Sequence, residues 1–446
     1  MDHFRYIEGE LFGEGVRLTD LADAVGTPTY VYSTGTIVDH YDKLESAFKA
    51  LKPLICFSLK SCSNLHIAKL LVQRGAGMDV VSGGELHRSR LAGCPDDRVV
   101  YAGVGKTAAE IAYALGLEGR GELVGAEPGK PIRLFNVESE PEFELLASVA
   151  EHHGAETNAA LRVNPDVDPK THRYTTTGKR ENKFGVDIDR AREVFERYGA
   201  NKHVRLSGLH VHIGSPVYDT APYVQAIERV LELIDELASD GHEITTLDLG
   251  GGFGADYETG RSPAAKEYAD AIEPLLADRV KNGLQIILEP GRTIMGNAGV
   301  LLTRVQFVKD SGEKKFVICD AGMHTLIRPA LYEAFHFIWP VKVDRSLEPQ
   351  GRAAEMDLPG LELCDVVGPI CESADFLGLG RKLPPVKRGD LLAVFTAGAY
   401  GFTLSSRYNG HPSPAEVLIH GGDAQIVRRR ETVTDLVEHE MTPKSV

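Results

Sequence analysis

The chain has little cysteine, a single tryptophan, no long apolar run and no excess of basic residues, and each scarcity removes a class of protein. Its six cysteines (Cys56, Cys62, Cys94, Cys319, Cys364, Cys371) form neither a Cys-x-x-Cys pair nor a regular framework. A disulfide scaffold is excluded on that ground, and a reduced, cytoplasmic setting is expected. No stretch approaches the roughly 20 apolar residues that cross a bilayer. The opening Met1-Asp2-His3-Phe4-Arg5 is not a basic segment followed by an apolar one, so no secretory leader is expected. Acidic residues outnumber basic ones, 64 Asp and Glu against 49 Lys and Arg, for a net charge of -15. Nucleic acid and membrane are therefore not expected partners, although local basic pockets for small anions stay open.

What remains is the composition of a soluble globular chain, with 43% hydrophobic and 25% charged residues. Its length of 446 residues suits a large domain plus a smaller one. From about residue 35, short apolar runs alternate with amphipathic stretches. The runs are 54–59, 77–81, 99–103, 132–137, 159–163, 208–213, 246–249 and 285–288. None contains proline and most are rich in Val, Ile or Leu, as parallel strands covered on both faces are. Helical patterns lie between them at 65–74, 84–91, 141–152 and 222–238. Eight such repeats over roughly 250 residues predict a (β/α)8 TIM barrel across residues 35–300.

Beyond about residue 300 the pattern changes. Residues 300–308 and 315–319 alternate across an Asp310-Ser311-Gly312 turn, and 391–396, 415–420 and 424–428 look similar. The early segment Thr27-Pro28-Thr29-Tyr30-Val31-Tyr32 alternates too. Residues 1–34 and 301–446 are accordingly expected to form one discontinuous antiparallel β domain. The segments 118–130 and 344–358 read as surface insertions.

Active groups of a TIM barrel gather where its strands end, and phosphates often bind after strands seven and eight. Lys60 follows the first apolar run, Asp79 and Ser82 close the second, and Arg162 and Asn164 close the fifth. His212-Ile213-Gly214-Ser215 ends the sixth, Gly250-Gly251-Gly252 the seventh and Glu289-Pro290-Gly291-Arg292 the eighth. Glycines at such a place let backbone N–H groups close round an anion without Cβ interference, and Ser215 and Tyr400 extend that phosphate cup. A carboxylate such as Glu289 beside a pyridine nitrogen keeps it protonated, and Arg292 is suited to pair with a carboxylate or phosphate. His210-Val211-His212 has the alternate spacing of zinc ligands in a barrel hydrolase. No third and fourth ligands are evident at neighbouring strand ends, and no metal is expected. Among the acidic neighbours of Cys371, a thiol is better suited to donate a proton than to attack.

In this order these segments resemble the fold-type III pyridoxal-phosphate decarboxylases, whose barrel is of the alanine racemase kind. The likeness runs from Thr29-Tyr30-Val31-Tyr32 to Pro414-Ala415-Glu416-Val417-Leu418 and Arg428-Arg429-Arg430-Glu431-Thr432. Arg328-Pro329-Ala330-Leu331-Tyr332, Cys371-Glu372-Ser373 and Gly398-Ala399-Tyr400-Gly401 are similar to the family's diaminopimelate branch.

The resemblance implies pyridoxal 5'-phosphate as cofactor and decarboxylation of meso-2,6-diaminopimelate to L-lysine, the last step of lysine biosynthesis. It implies that Lys60 anchors the cofactor, that His212 stacks on its ring and that Glu289 pairs with the ring nitrogen. Asp79, Arg162, Pro290 and Gly291 fall in the same cofactor-binding set, and Ser215, Gly250, Gly251, Gly252 and Tyr400 would bind the phosphate. Arg292, Arg328, Tyr332 and Tyr400 correspond to substrate-binding positions, with Glu372 holding the distal ammonium. Cys371 corresponds to the proton donor, supplied in this family by the second subunit of a homodimer. The chain departs from the family's usual runs at Ser58-Leu59-Lys60-Ser61-Cys62, at Pro216 and at His324-Thr325. A sister decarboxylase acting on another amino acid (ornithine, arginine, lysine or a carrier-bound substrate) is the alternative, and a metal-dependent barrel hydrolase a more distant one.

Overall fold

The computed structural model describes residues 2–168, 183–312 and 314–441. They form two compact units. One comprises Tyr41–Gly254 and Pro263–Gly291, and the other Met1–His40, Ala255–Ser262 and Arg292–Val446.

The first unit is a closed barrel of eight parallel strands: β1 (Leu54–Ser58), β2 (Gly77–Val80), β3 (Val99–Tyr101), β4 (Leu134–Val137), β5 (Thr157–Asn164), β6 (Val204–His210), β7 (Thr246–Asp248) and β8 (Gln285–Leu288). Each pairs with its sequence neighbour, β8 pairs with β1, and the pairing of β4 with β5 closes the ring. A two-residue strand, Val186–Asp187, adds to β5. Hydrophobic runs become strands here because both faces are covered. Cys56, Val100, Leu134, Ala160 and Ile287, one from each of five strands, pack into a single buried cluster.

Polar caps start the helices promptly after the strands. Asn64, Ser82 and Ser139 each accept a backbone N–H of the helix that follows, and Thr107 forms a capping box with Glu110. The helices Leu65–Gln73, Gly83–Leu91, Glu140–His153 and Ala221–Ser239 match the amphipathic stretches of the sequence. Of the expected insertions, 118–130 holds only the 3-10 turn Gly121–Leu123, and 344–358 only Arg345–Leu347.

The second unit is built on a mostly antiparallel sheet. Its path runs Phe376–Leu383, Glu362–Val367, Lys314–Cys319, Gly299–Ser311, Thr29–Ser33, Ala415–His420, Asp423–Arg428. Leu391–Val394 pairs with Gly299–Ser311 and with Ile338–Pro340. Two pairings are parallel, Lys314–Cys319 with Glu362–Val367 and Thr29–Ser33 with Ala415–His420. Thr29–Ser33 is fully buried between its neighbours, and the Tyr32 hydroxyl donates to Glu416 at 2.8 Å. A separate three-stranded sheet, Phe4–Ile7, Glu10–Gly13 and Val16–Arg17, precedes it. Among the described residues no helix is long and apolar enough to cross a membrane.

Candidate active site

Within the barrel unit, Lys60 lies in the 3-10 turn Leu59–Ser61 directly after β1. Its Nζ is 3.0 Å from Asp79 Oδ2, with the lysine side chain 35% exposed and the aspartate wholly enclosed. Ser58 Oγ donates to the same oxygen at 2.6 Å. Burial, then the nearby Glu289, raises the Asp79 pKa, while Lys60 and Ser58 oppose them. The Glu289-Pro290-Gly291 turn rests on this lysine turn. Ser58 N–H donates to Pro290 O at 3.1 Å, and a Cβ on Gly291 would stand 2.8 Å from Ser61 Oγ. Glycine is required there by close approach.

Glu289 is 4% exposed. Burial alone would raise its pKa, yet His210 and then Lys60 hold it well below the carboxylate range. The barrel therefore encloses a stable negative charge beside the lysine turn. His212 behaves oppositely. Burial, then Arg162 and Lys60, depress its pKa well below the usual value, leaving a neutral imidazole whose Nδ1 accepts Gly251 N–H at 3.2 Å. The remaining ring proton is thereby assigned to Nε2.

The glycine run is held at every residue. Gly250 and Gly252 have φ of +64° and +101°. A Cβ at Gly252 would meet Gly214 O at 2.4 Å. Gly250 N–H donates to Asp248 Oδ1, and the Gly250, Gly251 and Gly252 carbonyls accept from Glu289 N–H, the Tyr223 hydroxyl and Val217 N–H. Two of the three N–H groups thus already have protein acceptors, Asp248 and His212. Ser215, in the His212-Ile213-Gly214-Ser215 turn, precedes Pro216 through a cis peptide.

Arg162, buried in β5, pairs with Glu138 at 2.9 Å. Glu138 also accepts Gly185 N–H at 2.9 Å. Burial raises the Glu138 pKa, but Arg162, His210 and Lys106 carry it below normal. Glu138 was missed from the sequence although it directly follows β4, and the strand-end reasoning used elsewhere would have found it. Glu85, in the first turn of the helix after β2, was missed as well. It accepts Val81 N–H at 2.9 Å, and burial pushes its pKa up to about 7.

The sequence showed no third and fourth ligands for the pair His210 and His212; in the structure it is His210 alone that gathers with Asp248 and Glu289, the three bringing donor atoms within 4.8 Å of one another. His212 is not in that group. Asn136 Nδ2 donates to Asp248 Oδ2 at 2.9 Å and to Glu289 Oε1 at 3.1 Å. An amide donor aimed at both carboxylates suits a hydrogen-bonded acid layer rather than a cation site.

The other predicted residues belong to the second unit. Arg292 Nη1 donates to the Tyr257 hydroxyl at 2.8 Å, and its guanidinium lies 4.7 Å from the Tyr400 ring centre. Arg328 lies 4.8 Å from the Tyr257 ring centre, and its Nη1 is 2.9 Å from His336 Nε2. His336 Nδ1 in turn meets Phe395 O at 2.9 Å, and burial followed by Arg328 depresses the imidazole's pKa well below normal. Both observations make His336 a neutral acceptor of the arginine. Burial raises the Tyr257 pKa, but the two guanidiniums bring it below the usual phenol value. Arg292 and Arg328 are 6% and 5% exposed, making a concentrated positive field in an enclosed place. Tyr332 ends the short helix Arg328–Tyr332 and is half-buried. Tyr257 and His336 were not singled out in the sequence, since nothing in their spacing from Arg292 or Arg328 announces the contact.

Cys371 is exposed, in a loop fixed from two sides. Its own N–H donates to Asn409 Oδ1 at 2.9 Å, and Asp375 accepts Ile370 N–H and Met323 N–H, each at 2.6 Å. Glu372, also exposed, raises the pKa of Tyr408 through a side-chain hydrogen bond.

The family model for the pyridoxal-dependent decarboxylase, pyridoxal binding domain, matches residues 34–296. The chain is 45% identical over 437 residues to diaminopimelate decarboxylase of Aquifex aeolicus, covering 98% of this chain and 97% of that one. The chain belongs to the diaminopimelate decarboxylase family of pyridoxal-dependent decarboxylases. The Vibrio cholerae diaminopimelate decarboxylase is 44% identical, with 98% of each chain covered. Among solved structures, diaminopimelate decarboxylase of M. jannaschii in co-complex with L-lysine superposes with a TM-score of 0.88 at 34% identity, covering 99% of this chain and 98% of that one.

The barrel donors fit this family's cofactor. A half-open amine, an enclosed ionised carboxylate, a neutral imidazole and a glycine turn occur in one unit, which is the donor set that an aldehyde, a pyridine nitrogen, an aromatic ring and a phosphate require.

Proposed function

We propose that this chain is a carboxy-lyase that converts meso-2,6-diaminopimelate to L-lysine and carbon dioxide with pyridoxal 5'-phosphate, the final reaction of lysine formation. The observation that carries the reading is the enclosed Glu289 carboxylate, held by Asn136 and faced by His210, on the turn that rests against the Lys60 turn. Pyridoxal phosphate, when bound, supplies the sink for the electron pair left by departing carbon dioxide.

The protein's own groups then have distinct tasks. Lys60 would hold the cofactor at its aldehyde, and Asp79, 3.0 Å from the Lys60 amine, would keep that amine in place. Glu289 would hold a proton on the pyridine nitrogen, and neutral His212 would support the ring without adding an opposing charge. Gly252 foremost, with Ser215 and Tyr400, would bind the phosphate, Gly250 and Gly251 would shape the turn around it, and Arg162 with Pro290 and Gly291 would keep the surrounding turns in position.

Arg292 and Arg328, steadied by Tyr257 and His336, bind the substrate's distal carboxylate together with Tyr332. Glu372 takes the distal ammonium. Lysine and ornithine lack that second amino-acid head, so both guanidiniums would be left enclosed without their carboxylate, a strong basis for rejection. Cys371 delivers a proton to Cα after carbon dioxide leaves. The working form is a homodimer in which Cys371 serves the partner's site, and the setting is cytoplasmic.

Amino-acid chromatography of incubations with meso-diaminopimelate tests the assignment. Lysine should accumulate in step with loss of substrate. Loss of ornithine or arginine instead, with meso-diaminopimelate untouched, would move the chain to a sister decarboxylase.

A further inference from the structure

His210 is the last residue of β6 and is 1% exposed. Its Nδ1 has no hydrogen-bond partner among the described residues, and its Nε2 meets no polar group at ordinary hydrogen-bond distance other than a carboxylate at the edge of that range. Its near neighbour is Glu289, with Nε2 3.5 Å from Oε2. Filling space in a barrel interior calls for volume, which an apolar side chain supplies without a desolvation cost. An enclosed imidazole whose polar neighbour is a carboxylate is explained by what it does for that carboxylate.

Burial would strip the proton from His210, but Glu289 and Asp248 outweigh it and the net shift is upward. His212, two residues on, shifts downward. The end of β6 therefore carries one imidazole disposed to be cationic and one kept neutral, and the cationic one faces the carboxylate. On the far side, Asn136 Nδ2 at the middle of β4 donates to both Glu289 Oε1 and Asp248 Oδ2. Asp248 Oδ1, at the end of β7, accepts Gly250 N–H at 2.9 Å, so the same layer reaches the start of the glycine run.

We propose that His210 and Asn136 are positioning residues that hold Glu289 as an oriented carboxylate toward the pyridine ring, with Asp248 linking that carboxylate to the phosphate-binding glycines. This rests on the assignment of Glu289 to the ring nitrogen. Residues of β4, β6 and β7 and the residue after β8 thereby act as one polar layer that fixes both the affinity for the cofactor and the protonation of its ring.

The test is titration of apo-protein with pyridoxal phosphate, reading the dissociation constant and the long-wavelength absorption of the bound cofactor in wild type, His210→Phe, His210→Gln and Asn136→Ala. Melting of each apo-protein reports folding. Loss of an interaction with a charged group weakens binding by roughly ten- to hundredfold, and that loss is expected for His210→Phe, with the absorption band moved to shorter wavelength. His210→Gln, which restores a donor, should recover part of the affinity. A folded His210→Phe protein with wild-type affinity and an unmoved band would overturn the proposal. Should His210→Phe fail to fold, Asn136→Ala removes the other donor to the same carboxylate and is held to the same two readouts. Wild-type protein that takes up no pyridoxal phosphate would instead refute the cofactor assignment, a separate outcome.

Discussion

Lys60 Nζ stands 3.0 Å from Asp79 Oδ2, the amine partly open and the carboxylate wholly enclosed. An enclosed carboxylate is tolerated only with partners, and Asp79 has both the lysine and the Ser58 hydroxyl. The pair fixes the end of a lysine whose side chain stays 35% exposed, which suits a group that must form and release a covalent link. Replacing Lys60 by Ala is predicted to abolish the borohydride-reducible lysine adduct with pyridoxal phosphate. Turnover should fall by roughly three orders of magnitude or more. Peptide mapping after reduction checks the site, and an adduct persisting in the variant would contradict the assignment.

The two enclosed guanidiniums give a second prediction. Arg328 contacts the Tyr257 ring and neutral His336, neither of which offsets its charge with a carboxylate's. Arg328→Ala should lower kcat/KM for meso-diaminopimelate by roughly ten- to hundredfold, the worth of a charge-assisted hydrogen bond. Arg328→Lys should not restore it, because an ammonium lacks the planar fork. Steady-state kinetics with both variants decides the point.

Cys371 offers a test of the protonation step. Its loop is held through backbone N–H bonds to Asn409 and Asp375 rather than through its thiol. Cys371→Ala should therefore keep its cofactor and its fold, yet lose about 10²- to 10⁴-fold in kcat, the usual contribution of a positioned proton donor. Absorbance of the bound cofactor alongside kcat separates that outcome from simple misfolding.

Glu85 predicts a pH dependence of stability. Its folded pKa is pushed up to about 7, above the value near 4.3 of an exposed glutamate. Between those values the folded state binds the proton that the unfolded chain gives up, so stability is complete below about pH 4 and is lost as pH rises through 7. Glu85→Gln keeps an acceptor for Val81 N–H and has no charge to bury. It should gain of order 1 kcal/mol over wild type at pH 8, allowing for partial solvent screening, and little at pH 5. Urea unfolding of the apo-proteins at the two pH values measures this.

Much of the barrel was legible because strands buried on both faces must be unbroken apolar runs, and helices between them announce themselves with caps such as Ser82 and Ser139. Strands β5 and β6 begin earlier than expected, at Thr157 and Val204, because their second residues, Asn158 and Arg205, are polar and face outward. The sheet of the second unit was harder to read. Glu362–Val367 and Phe376–Leu383 carry charges and glycines, and their pairing shifts register twice, which breaks the alternation that marks a strand. The N-terminal hairpin was missed because its first turn is made by Glu8 and Gly9, both at positive φ, with no Asn-Gly or Asp-Gly signal.

Candidate site residues at strand ends could be proposed from the sequence because the barrel tells which end to examine. Contacts such as Tyr257 with Arg292, or Asn136 with Glu289, depend on distant segments meeting and leave no local trace. One clue was available. His336 opens the apolar run His336-Phe337-Ile338-Trp339, and a polar side chain so placed calls for a buried partner.

The most direct test is release of carbon dioxide from separated meso and LL diaminopimelate, with lysine and ornithine as controls, with and without added pyridoxal phosphate. Release from the meso isomer alone, dependent on the cofactor, is the predicted result. Cofactor-loaded protein that leaves meso-diaminopimelate intact while releasing carbon dioxide from another amino acid would contradict it.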